Sequence, residues 1–520
     1  MLLHEFLEQT IRKRPEAVAL ICGERRWRYA EIGALVERLA AAMQRRGVQH
    51  GERVAIYAEN GVETVVGIYA ALRCGAVFMP INPLTKKDKL AYLVDDARPV
   101  CMLASASLLR VVQEALPANG PLRTCIVSGG AAPAVGAGGP APEAAVPGTE
   151  FVRFETALAE GGTALPVPTI DQDLASILYT SGSTGEPKGV MLTHLNMVTA
   201  MQSVRSYLEL QDEDMILCAL PLAFGYGLYQ ILMGFACGAC VVLERSFAFP
   251  VQVLERMQRL HVTVFPGVPS MFAALLGLET LPQYDLASLR LITNAAAALP
   301  ERQIQELRRL FPQARLFSMY GLTECMRVSY LPPEELERRP QSVGRGMPNQ
   351  EVWLADAAGR CLPPGSTGEL VIRGSHVMRG YWRKPEETAE RLKPGPLPGE
   401  MVLHTGDIFR MDEEGYLYFV ARKDDIIKSQ GEKVSPREVE NVLCSLDGVQ
   451  EAAAVGVPDA LLGEAVKAIL VLKPGYAYTA REIVKHCLAK MESFMAPKYV
   501  EFVRDLPRTN TGKIDKKGLR

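Results

Sequence analysis

The stretch Tyr179–Val190 reads YTSGSTGEPKGV and packs three glycines, several hydroxyl side chains and one lysine into a single loop. Glycines let backbone N–H groups close around a phosphate, hydroxyls add donors, and the lysine supplies positive charge. The spacing differs from the G-x-x-x-x-G-K-[ST] pattern of kinase-like P-loops. The loop follows the strand-like LASILYT and precedes the helix-like THLNMVTAMQSV, where phosphate loops of α/β folds occur. It predicts a phosphate site, with a plain Ser/Thr/Gly linker as the alternative.

The hydrophobic pattern on either side of this loop predicts an α/β fold. Residues 2–14 and 29–46 carry apolar side chains at helical spacing, and the short apolar runs between later helices alternate with them as strands of a mostly parallel sheet would. Beyond Arg422 the pattern changes to helices and β-rich runs sufficient for a small α+β domain. We expect a large multi-sheet N-terminal α/β domain, residues 1–421, and a small mobile α+β C-terminal domain, residues 422–520.

Composition excludes several classes of function. The 520 residues include 57 Lys and Arg against 59 Asp and Glu, so there is no basic footprint for nucleic acid. The eleven cysteines lack a repeating spacing, which indicates thiols in a reducing compartment. Glu5 and Glu8 interrupt the region where a signal peptide needs an apolar core. We therefore expect a cytoplasmic protein that acts on small molecules.

The stretch from Met215 to Leu243 contains no charged residue and is long enough to span a bilayer. Pro221 and four glycines interrupt it, and Glu244 follows directly. These interruptions favour a strand, a loop and a buried helix inside a large core. No membrane span is expected.

Further motifs follow the glycine-rich loop in a fixed order: YGLTE (Tyr320–Glu324), GELVIRGSHVMRGYW (Gly368–Trp382), HTGD (His404–Asp407), ARKDDIIKSQGEKVSPREVE (Ala421–Glu440) and PRTNTGKIDKK (Pro507–Lys517). Together they resemble the adenylate-forming superfamily of acyl-CoA synthetases, luciferases and peptide-synthetase adenylation enzymes, and most closely its stand-alone AMP-forming acyl-CoA ligases. The resemblance spans nearly the whole chain. It implies an ATP-dependent acid–thiol ligase with Mg²⁺, a small carboxylic acid as substrate, and CoA or a carrier-protein phosphopantetheine as acceptor, in a context such as fatty acid metabolism.

The resemblance also implies a nucleotide site. In the family the tyrosine of YGLTE stacks on adenine, the aspartate of HTGD and a later arginine hold the ribose, and the glycine-rich loop holds the phosphates. The residues implied for ATP are Thr180, Ser181, Gly182, Ser183, Thr184, Gly185, Lys188, Asn294, Ala295, Ala296, Tyr320, Gly321, Asp407 and Arg422.

Catalytic groups are implied in the same way. Lys513, Thr323 and Lys188 would neutralise charge during adenylation, and Glu324 would hold Mg²⁺. After rotation about a hinge at Asp424, a second face carrying Lys428 would meet the active site, with Gly431 leaving room for the pantetheine arm. The Gly368–Trp382 motif is implied to be mainly structural.

The segment LPLAFGYGLYQILM and its partners suggest the acyl pocket, whose expected lining is Phe224, Gly225, Leu228, Ile231, Val268, Met319, Cys325 and Met326. Several of these residues are alternatively plain core. Amino-acid-activating members place an aspartate at the Gly225 position to pair with the substrate ammonium. Without it, an α-amino acid is disfavoured, so we expect an apolar acyl or aryl acid. Arg327 is the nearby charge, either reading a second carboxylate or forming a structural ion pair.

Three positions depart from the commoner family pattern. Phe224 replaces a frequent histidine, Asn294–Ala297 reads NAAA where a glycine-rich turn is usual, and Ala421 replaces a glycine. They leave the reaction class intact. Three alternatives stay open: a free-standing enzyme that loads a carrier protein, a luciferase-like oxygenation of the adenylate, and a nucleotide-binding protein without turnover. The oligomeric state has no signal in the sequence.

Overall fold

The computed structural model describes residues 1–129, 146–180, 187–423, 425–429, 432–459, 463–491, 493, 495–509 and 513–519. The chain divides into two compact units. The first comprises Met1–Glu351 and Arg373–Val402, and the second comprises Val352–Ile372 and Leu403–Arg520. The domain boundary predicted after residue 421 stays a prediction.

The helices of the described chain follow the predicted periodicity, since residues 2–14 and 29–46 form the first two. Their bounds are α1 Leu3–Lys13, α2 Tyr29–Arg45, α3 Val62–Arg73, α4 Lys87–Ala97, α5 Leu109–Ala115, α6 Phe154–Ala159, α7 His194–Leu208, α8 Gly225–Cys237, α9 Pro250–Arg259, α10 Pro269–Leu276, α11 Glu301–Leu310, α12 Pro385–Arg391, α13 Pro436–Cys444 and α14 Ala480–Leu488.

Strands alternate with these helices through most of the first unit and dominate the second. Their bounds are β1 Val18–Cys22, β2 Arg25–Arg28, β3 Arg53–Tyr57, β4 Val77–Pro80, β5 Cys101–Ser105, β6 Thr124–Ser128, β7 Glu150–Arg153, β8 Leu174–Thr180, β9 Lys188–Thr193, β10 Met215–Cys218, β11 Cys240–Leu243, β12 Val264–Gly267, β13 Leu291–Asn294, β14 Arg315–Tyr320, β15 Ser329–Leu331, β16 Arg345–Gly346, β17 Gln350–Ala355, β18 Cys361–Leu362, β19 Thr367–Gly374, β20 Gly380–Tyr381, β21 Leu392–Pro394, β22 Met401–Met411, β23 Leu417–Arg422, β24 Ile427–Ser429, β25 Glu432–Val434, β26 Val449–Asp459, β27 Gly463–Leu472 and β28 Tyr499–Phe502.

Two large sheets form the first unit. One has the order β16-β15-β14-β13-β12-β10-β11-β1-β2, and the other β20-β9-β8-β4-β3-β5-β6-β7. The central strands of both sheets are parallel. Antiparallel strands stand at both edges of the first sheet and at one edge of the second. Strands β10 and β11 are apolar throughout, as is typical of buried parallel strands. The mostly parallel sheet predicted from the strand–helix alternation is confirmed.

The uncharged stretch from Met215 to Leu243 folds as expected into β10, a loop and the buried helix α8, followed by β11. Gly238 ends α8 in the left-handed conformation at φ 88°, a backbone shape that glycine adopts without strain. Across the described ranges, every helix is too short or too polar to cross a bilayer.

The second unit contains two smaller sheets. In one, β17, β19 and β22 are neighbours, and β22 pairs antiparallel with β23. The other has the order β25-β24-β27-β26, with β28 beside β27. Helices α13 and α14 bury Val439, Leu443 and Ile483 against this last sheet. An α/β fold with a large N-terminal part and a smaller C-terminal α+β part is therefore confirmed.

Candidate functional site

Four neighbouring strands of the first unit, β10, β12, β13 and β14, run parallel, so their carboxyl ends open at one edge of the sheet. The predicted acyl residues Phe224 and Val268 follow β10 and β12, whereas the predicted nucleotide residues Ala295 and Gly321 follow β13 and β14. Ligands of open α/β sheets bind at this edge. The fold thus gathers loops that are about a hundred residues apart in sequence.

Two of the predicted acyl residues, Gly225 and Met326, are in direct contact. A Cβ atom on Gly225 would lie 2.4 Å from Met326 Cε and 2.5 Å from its Sδ, so any side chain here would displace the methionine. The next residue, Tyr226, fastens α8 to β13. Its hydroxyl donates to the Thr293 carbonyl at 2.8 Å and lies 2.7 Å from Thr293 Oγ1.

The remaining predicted acyl residues fall into two sets. Phe224 and Val268 are half-buried at the ends of their loops. The fully buried set lies in the interior of the first unit and consists of Leu228, Ile231, Met319 and Cys325. A lining role for the buried set stays a prediction beside the plain core alternative.

The YGLTE loop follows β14, and its glycine is required by a close backbone approach. A Cβ atom on Gly321 would lie 2.3 Å from the carbonyl oxygen of Met326. Tyr320, Thr323 and Glu324 are all half-buried, so the three groups predicted for adenine, α-phosphate and metal are reachable from solvent. The loop therefore presents all three side chains at the sheet edge.

Tyr381 links two of the predicted catalytic residues, and sequence analysis missed it. Its hydroxyl donates to Glu324 Oε1 at 2.7 Å, and Lys188 Nζ lies 5.5 Å from the centre of its ring. Tyr381 reaches this position because β20 pairs with β9. The resemblance implies a mainly structural role for the motif around it, and no local pattern indicates a pairing between strands that are so distant in sequence.

The strand predicted before the glycine-rich loop and the helix predicted after it both form, but a further strand, β9, lies between the loop and the helix. Thr180 ends β8 and Lys188 begins β9, and these two strands pair antiparallel, so the loop connects a hairpin and a strand separates it from α7. The N-terminus of α7 therefore does not follow the loop directly. The predicted residues that lie outside the described chain are Ser181, Gly182, Ser183, Thr184 and Gly185.

Helix α4 holds the chain on both sides of this loop. The Tyr179 hydroxyl donates to Asp96, and the Tyr92 hydroxyl donates to the Pro187 carbonyl at 3.1 Å. Burial, reinforced by the Asp96 carboxylate, raises the pKa of Tyr179 far above its ordinary value, so the phenol keeps the proton that it donates. Sequence analysis did not identify Tyr92 or Asp96.

The NAAA sequence at the end of β13 leaves a buried polar atom at Asn294 and backbone strain at Ala296. Asn294 is fully buried, its side-chain amide donates to the Ala297 carbonyl at 2.9 Å, and its Oδ1 has no hydrogen-bond partner among the residues that the structure describes. Ala296 adopts φ 71°, which is strained for a residue with a Cβ. A glycine-rich turn, usual in the family, would relieve this strain.

In the second unit the structure brings together the two residues predicted to hold ribose. Asp407 is buried and faces Arg422 across the β22–β23 ladder, and Arg422 Nε lies 3.5 Å from Asp407 Oδ1. The Asp407 N–H donates to Thr405 Oγ1 at 3.1 Å, which fixes the backbone at this point.

Glu369 is a second residue that sequence analysis missed. Its carboxylate accepts from the N–H of Gly406 at 3.0 Å and lies 3.7 Å from His404 Nδ1 and 3.4 Å from Lys423 Nζ. The His404 imidazole, helped by Lys423 and the Gly406 N–H, lowers the pKa of Glu369 to about 2. Glu369 therefore holds the HTGD segment in place through charge.

Lys513 is exposed at the end of the second unit. Its carbonyl accepts from the Thr509 N–H at 2.7 Å, and Arg508 pairs with Ile514. Asp424, Gly431 and the side chain of Lys428 lie outside the described part of the chain, although the backbone of Lys428 belongs to β24. Their roles stay predictions.

Comparison with protein families identifies the class of this chain. The profile of the AMP-binding enzymes matches residues 7–382, and that of the AMP-binding enzyme C-terminal domain matches residues 438–513. The chain therefore belongs to the AMP-binding enzyme family.

Individual relatives indicate a narrower class of enzyme within this family. A long-chain-fatty-acid–CoA ligase of Bacillus subtilis is 32% identical over 99% of this chain and 94% of that protein. An indoleacetate–CoA ligase of Aromatoleum aromaticum is 32% identical over 100% of this chain and 98% of that protein. The crystal structure of an anthranilate CoA ligase with anthranoyl-AMP has a TM-score of 0.88 at 28% identity, over 100% of this chain and 96% of that one. The resemblance to the adenylate-forming superfamily, close to its acyl-CoA ligases, is confirmed, and an acid–thiol ligase activity in general follows.

Replacing Ala296 with glycine should stabilise the first unit. Relief of the left-handed strain outweighs the extra entropy of glycine in the unfolded chain, for a net gain of about 0.5 kcal/mol in the free energy of unfolding. Thermal and urea denaturation measure it. Ala297→Gly, at a position with ordinary φ, is the control and should destabilise by a similar amount. A loss of stability in Ala296→Gly would contradict the strain.

Glu369→Gln should make the melting temperature depend less on pH in the acid range. The pKa of Glu369 is about 2 in the folded state against an ordinary 4.5, so its contribution is complete above pH 4.5 and is lost as the pH falls toward 2. The difference in melting temperature between wild type and variant should therefore shrink between those values. Lys423→Met should shift the wild-type loss to higher pH, because one cation that lowers the Glu369 pKa is gone. A difference that does not change with pH refutes this account.

Proposed function

We propose that this protein converts a carboxylic acid and ATP into an acyl-AMP and pyrophosphate and then transfers the acyl group to the thiol of CoA. The observation that carries the proposal is the grouping of Lys188 and Glu324 around Tyr381 at the carboxyl edge of the sheet. Membership of the AMP-binding enzyme family supports the same reaction. A cation and a carboxylate held near each other suit the handling of a triphosphate and its counter-ion.

In the first half-reaction the acid carboxylate attacks the α-phosphorus and pyrophosphate leaves. This step needs charge neutralisation and positioning more than proton transfer. We assign neutralisation to Lys188, Thr323 and Lys513, and the Tyr381 hydroxyl keeps the Glu324 carboxylate in one orientation.

The residues present fit a magnesium ion. Glu324 accepts from the Tyr381 hydroxyl through Oε1, and the residue is half-buried rather than enclosed. Within the described chain no cluster of three or more His, Cys, Asp or Glu forms a complete protein cage for a metal. Mg²⁺ characteristically binds one or two carboxylates and completes its shell with water and substrate phosphates. Glu324 would hold the ion, which would supply positive charge beside the phosphates.

For the nucleotide itself, we assign the adenine face to Tyr320 and the adenine edge to the turn that Asn294 begins. The Asn294 amide is held in one orientation by its bond to the Ala297 carbonyl at 2.9 Å, which shapes this turn. Asp407 and Arg422 are assigned to the ribose, since the carboxylate can accept both hydroxyls.

For the second half-reaction we propose that residues 422–520 act as a mobile domain that turns at Asp424. This motion would bring Lys428 to the site and align Gly431 with the thiol arm, since a glycine leaves the most room there. The proposal rests on the family's behaviour and on the order of the motifs.

The acid that we propose has an apolar acyl or aryl chain and no α-amino group. Position 225 is a glycine, so the aspartate that would pair with an ammonium is absent, and the end of the Met326 side chain occupies the space beside it. The acids named for the relatives, long-chain fatty acid and indoleacetate, also lack an α-amino group.

A screen of carboxylic acids tests the reaction and the substrate class together. Pyrophosphate release with ATP should depend on the acid, and thioester should appear only when CoA is added. Fatty and aryl acids should exceed their α-amino counterparts by at least about tenfold in kcat/KM, because a buried ammonium would find no aspartate at position 225 to pair with. If thioester forms on a carrier protein but not on CoA, the acceptor is the carrier protein and not CoA. No AMP formation with any acid would refute the enzyme assignment.

Lys513→Ala should separate the two half-reactions. ATP–pyrophosphate exchange should fall on the order of 100-fold or more, whereas transfer from supplied acyl-AMP to CoA should persist. Lys428→Ala should show the reverse pattern. Lys517→Ala, an exposed lysine in the same segment, is the matched control and should change neither. Equal loss of both half-reactions in Lys513→Ala would contradict its role.

A further inference from the structure

Arg327 lies directly after the adenylate loop and is buried. The residue is 6% exposed, although it carries a permanent positive charge. The chain reaches it through Met326, whose φ of 67° is unusual for a residue with a side chain. Gly321 permits this course, because a Cβ there would lie 2.9 Å from the Cα of Arg327. Strain of this kind persists where the surrounding structure enforces it, often at ligand sites.

The guanidinium has no counter-charge in the described chain. Its Nε atom is buried without a hydrogen-bond partner, and none of the ion pairs among the described residues includes Arg327. The structural ion pair that the sequence left open for Arg327 is therefore absent from this part of the chain. A cation taken out of water in this way is costly unless an anion accompanies it.

An aromatic ring lies beside the arginine instead. Its Cζ atom lies 5.1 Å from the centre of the Tyr226 ring. Burial raises the pKa of Tyr226 to about 12, so this phenol is neutral and does not serve as a counter-ion. Tyr207, stacked on Tyr330 with ring centres 3.8 Å apart, is likewise a neutral phenol because burial raises its pKa. A ring face offsets only part of the cost of burying a cation.

The position of Arg327 favours contact with the acid substrate over contact with the nucleotide. Tyr226 and Arg327 are the immediate neighbours of Gly225 and Met326, which are in contact at the start of α8. The groups assigned to adenylation are on the partly exposed residues of the YGLTE loop, before the backbone reversal at Met326. Arg327 lies beyond that reversal and is buried beside the ring of Tyr226.

We infer that Arg327 binds a second carboxylate, at the end of the substrate remote from the carboxyl group that is activated. The inference rests on the proposed function and narrows it to acids with an apolar chain or ring that ends in a second anionic group. A guanidinium offers a planar fork of donors that matches a carboxylate, and the low polarity around it strengthens the pair. The substrate would supply the missing counter-charge on binding.

The test compares dicarboxylic acids with their monomethyl esters, which have nearly the same length but a neutral far end. Straight-chain diacids of increasing length and aromatic diacids form the panel, and acyl-AMP formation is measured as pyrophosphate release. Wild type should favour at least one diacid over its half-ester by tenfold or more in kcat/KM. Arg327→Met should lose this preference while its kcat/KM for the half-ester is kept or raised, and Arg327→Lys should retain part of it.

Arg302→Met is the matched control, because Arg302 is an exposed arginine of the same unit that pairs with Glu306. It should leave the preference unchanged. If Arg327→Met fails to fold, two other measurements test the role of Arg327. The preference of wild type for the diacid should be reduced in Arg327→Lys, and the diacid, but not the half-ester, should raise the melting temperature of wild type.

The outcomes separate the two levels of the proposal. Turnover of monoacids and half-esters without a preference for any diacid overturns the role of Arg327 and leaves the ligase proposal standing. The role of Arg327 is also overturned if Arg327→Met or Arg327→Lys lowers kcat/KM for diacid and half-ester equally, since that is the behaviour of a merely structural residue. The absence of AMP formation with every acid refutes the proposed function itself.

Discussion

Parallel pairing of β10, β12, β13 and β14 is the constraint on which the candidate site depends. Parallel neighbours place all their carboxyl ends at one edge, and each connection must leave and return across a helix. The loops that carry Phe224, Val268, Ala295 and Gly321 therefore meet at that edge, whatever the sequence distance between them. The chemistry of the site follows from side chains whose positions the sheet has already set.

Close backbone packing at this edge is achieved by glycine in two places and by strain in two others. Gly225 accommodates the Met326 side chain and Gly321 accommodates the Met326 backbone, so one residue is held from two directions. Ala296 and Met326 adopt positive φ values, although neither is a glycine. Such conformations cost free energy that the surrounding packing must offset, and both occur within the loops assigned to ligands.

The charged groups of the first unit fall into two groups with different surroundings. Lys188 and Glu324 lie on either side of Tyr381 at the partly exposed side of the loop, whereas Arg327 is buried beside a tyrosine ring without an acidic partner in the described chain. One end thus suits a phosphate with its counter-ion, and the other suits an anion carried by the acid. In the second unit, His404 and Lys423 lower the pKa of Glu369 to about 2. The Glu369 carboxylate accepts from the Gly406 N–H, which holds the HTGD segment that carries Asp407.

The sequence alone determined the α/β class, the small C-terminal α+β part and the family, because periodicity and ordered motifs are local properties of the chain. It also predicted site roles for Glu324, Asp407 and Lys188, which stand inside such motifs. Only the tertiary structure revealed the β8–β9 hairpin, the contacts of Tyr381, Asp96 and Glu369, and the lack of a counter-charge for Arg327 among the described residues. Each of these depends on which distant strands and helices pack together, and pairing between distant segments leaves no trace in the spacing of residues along one segment.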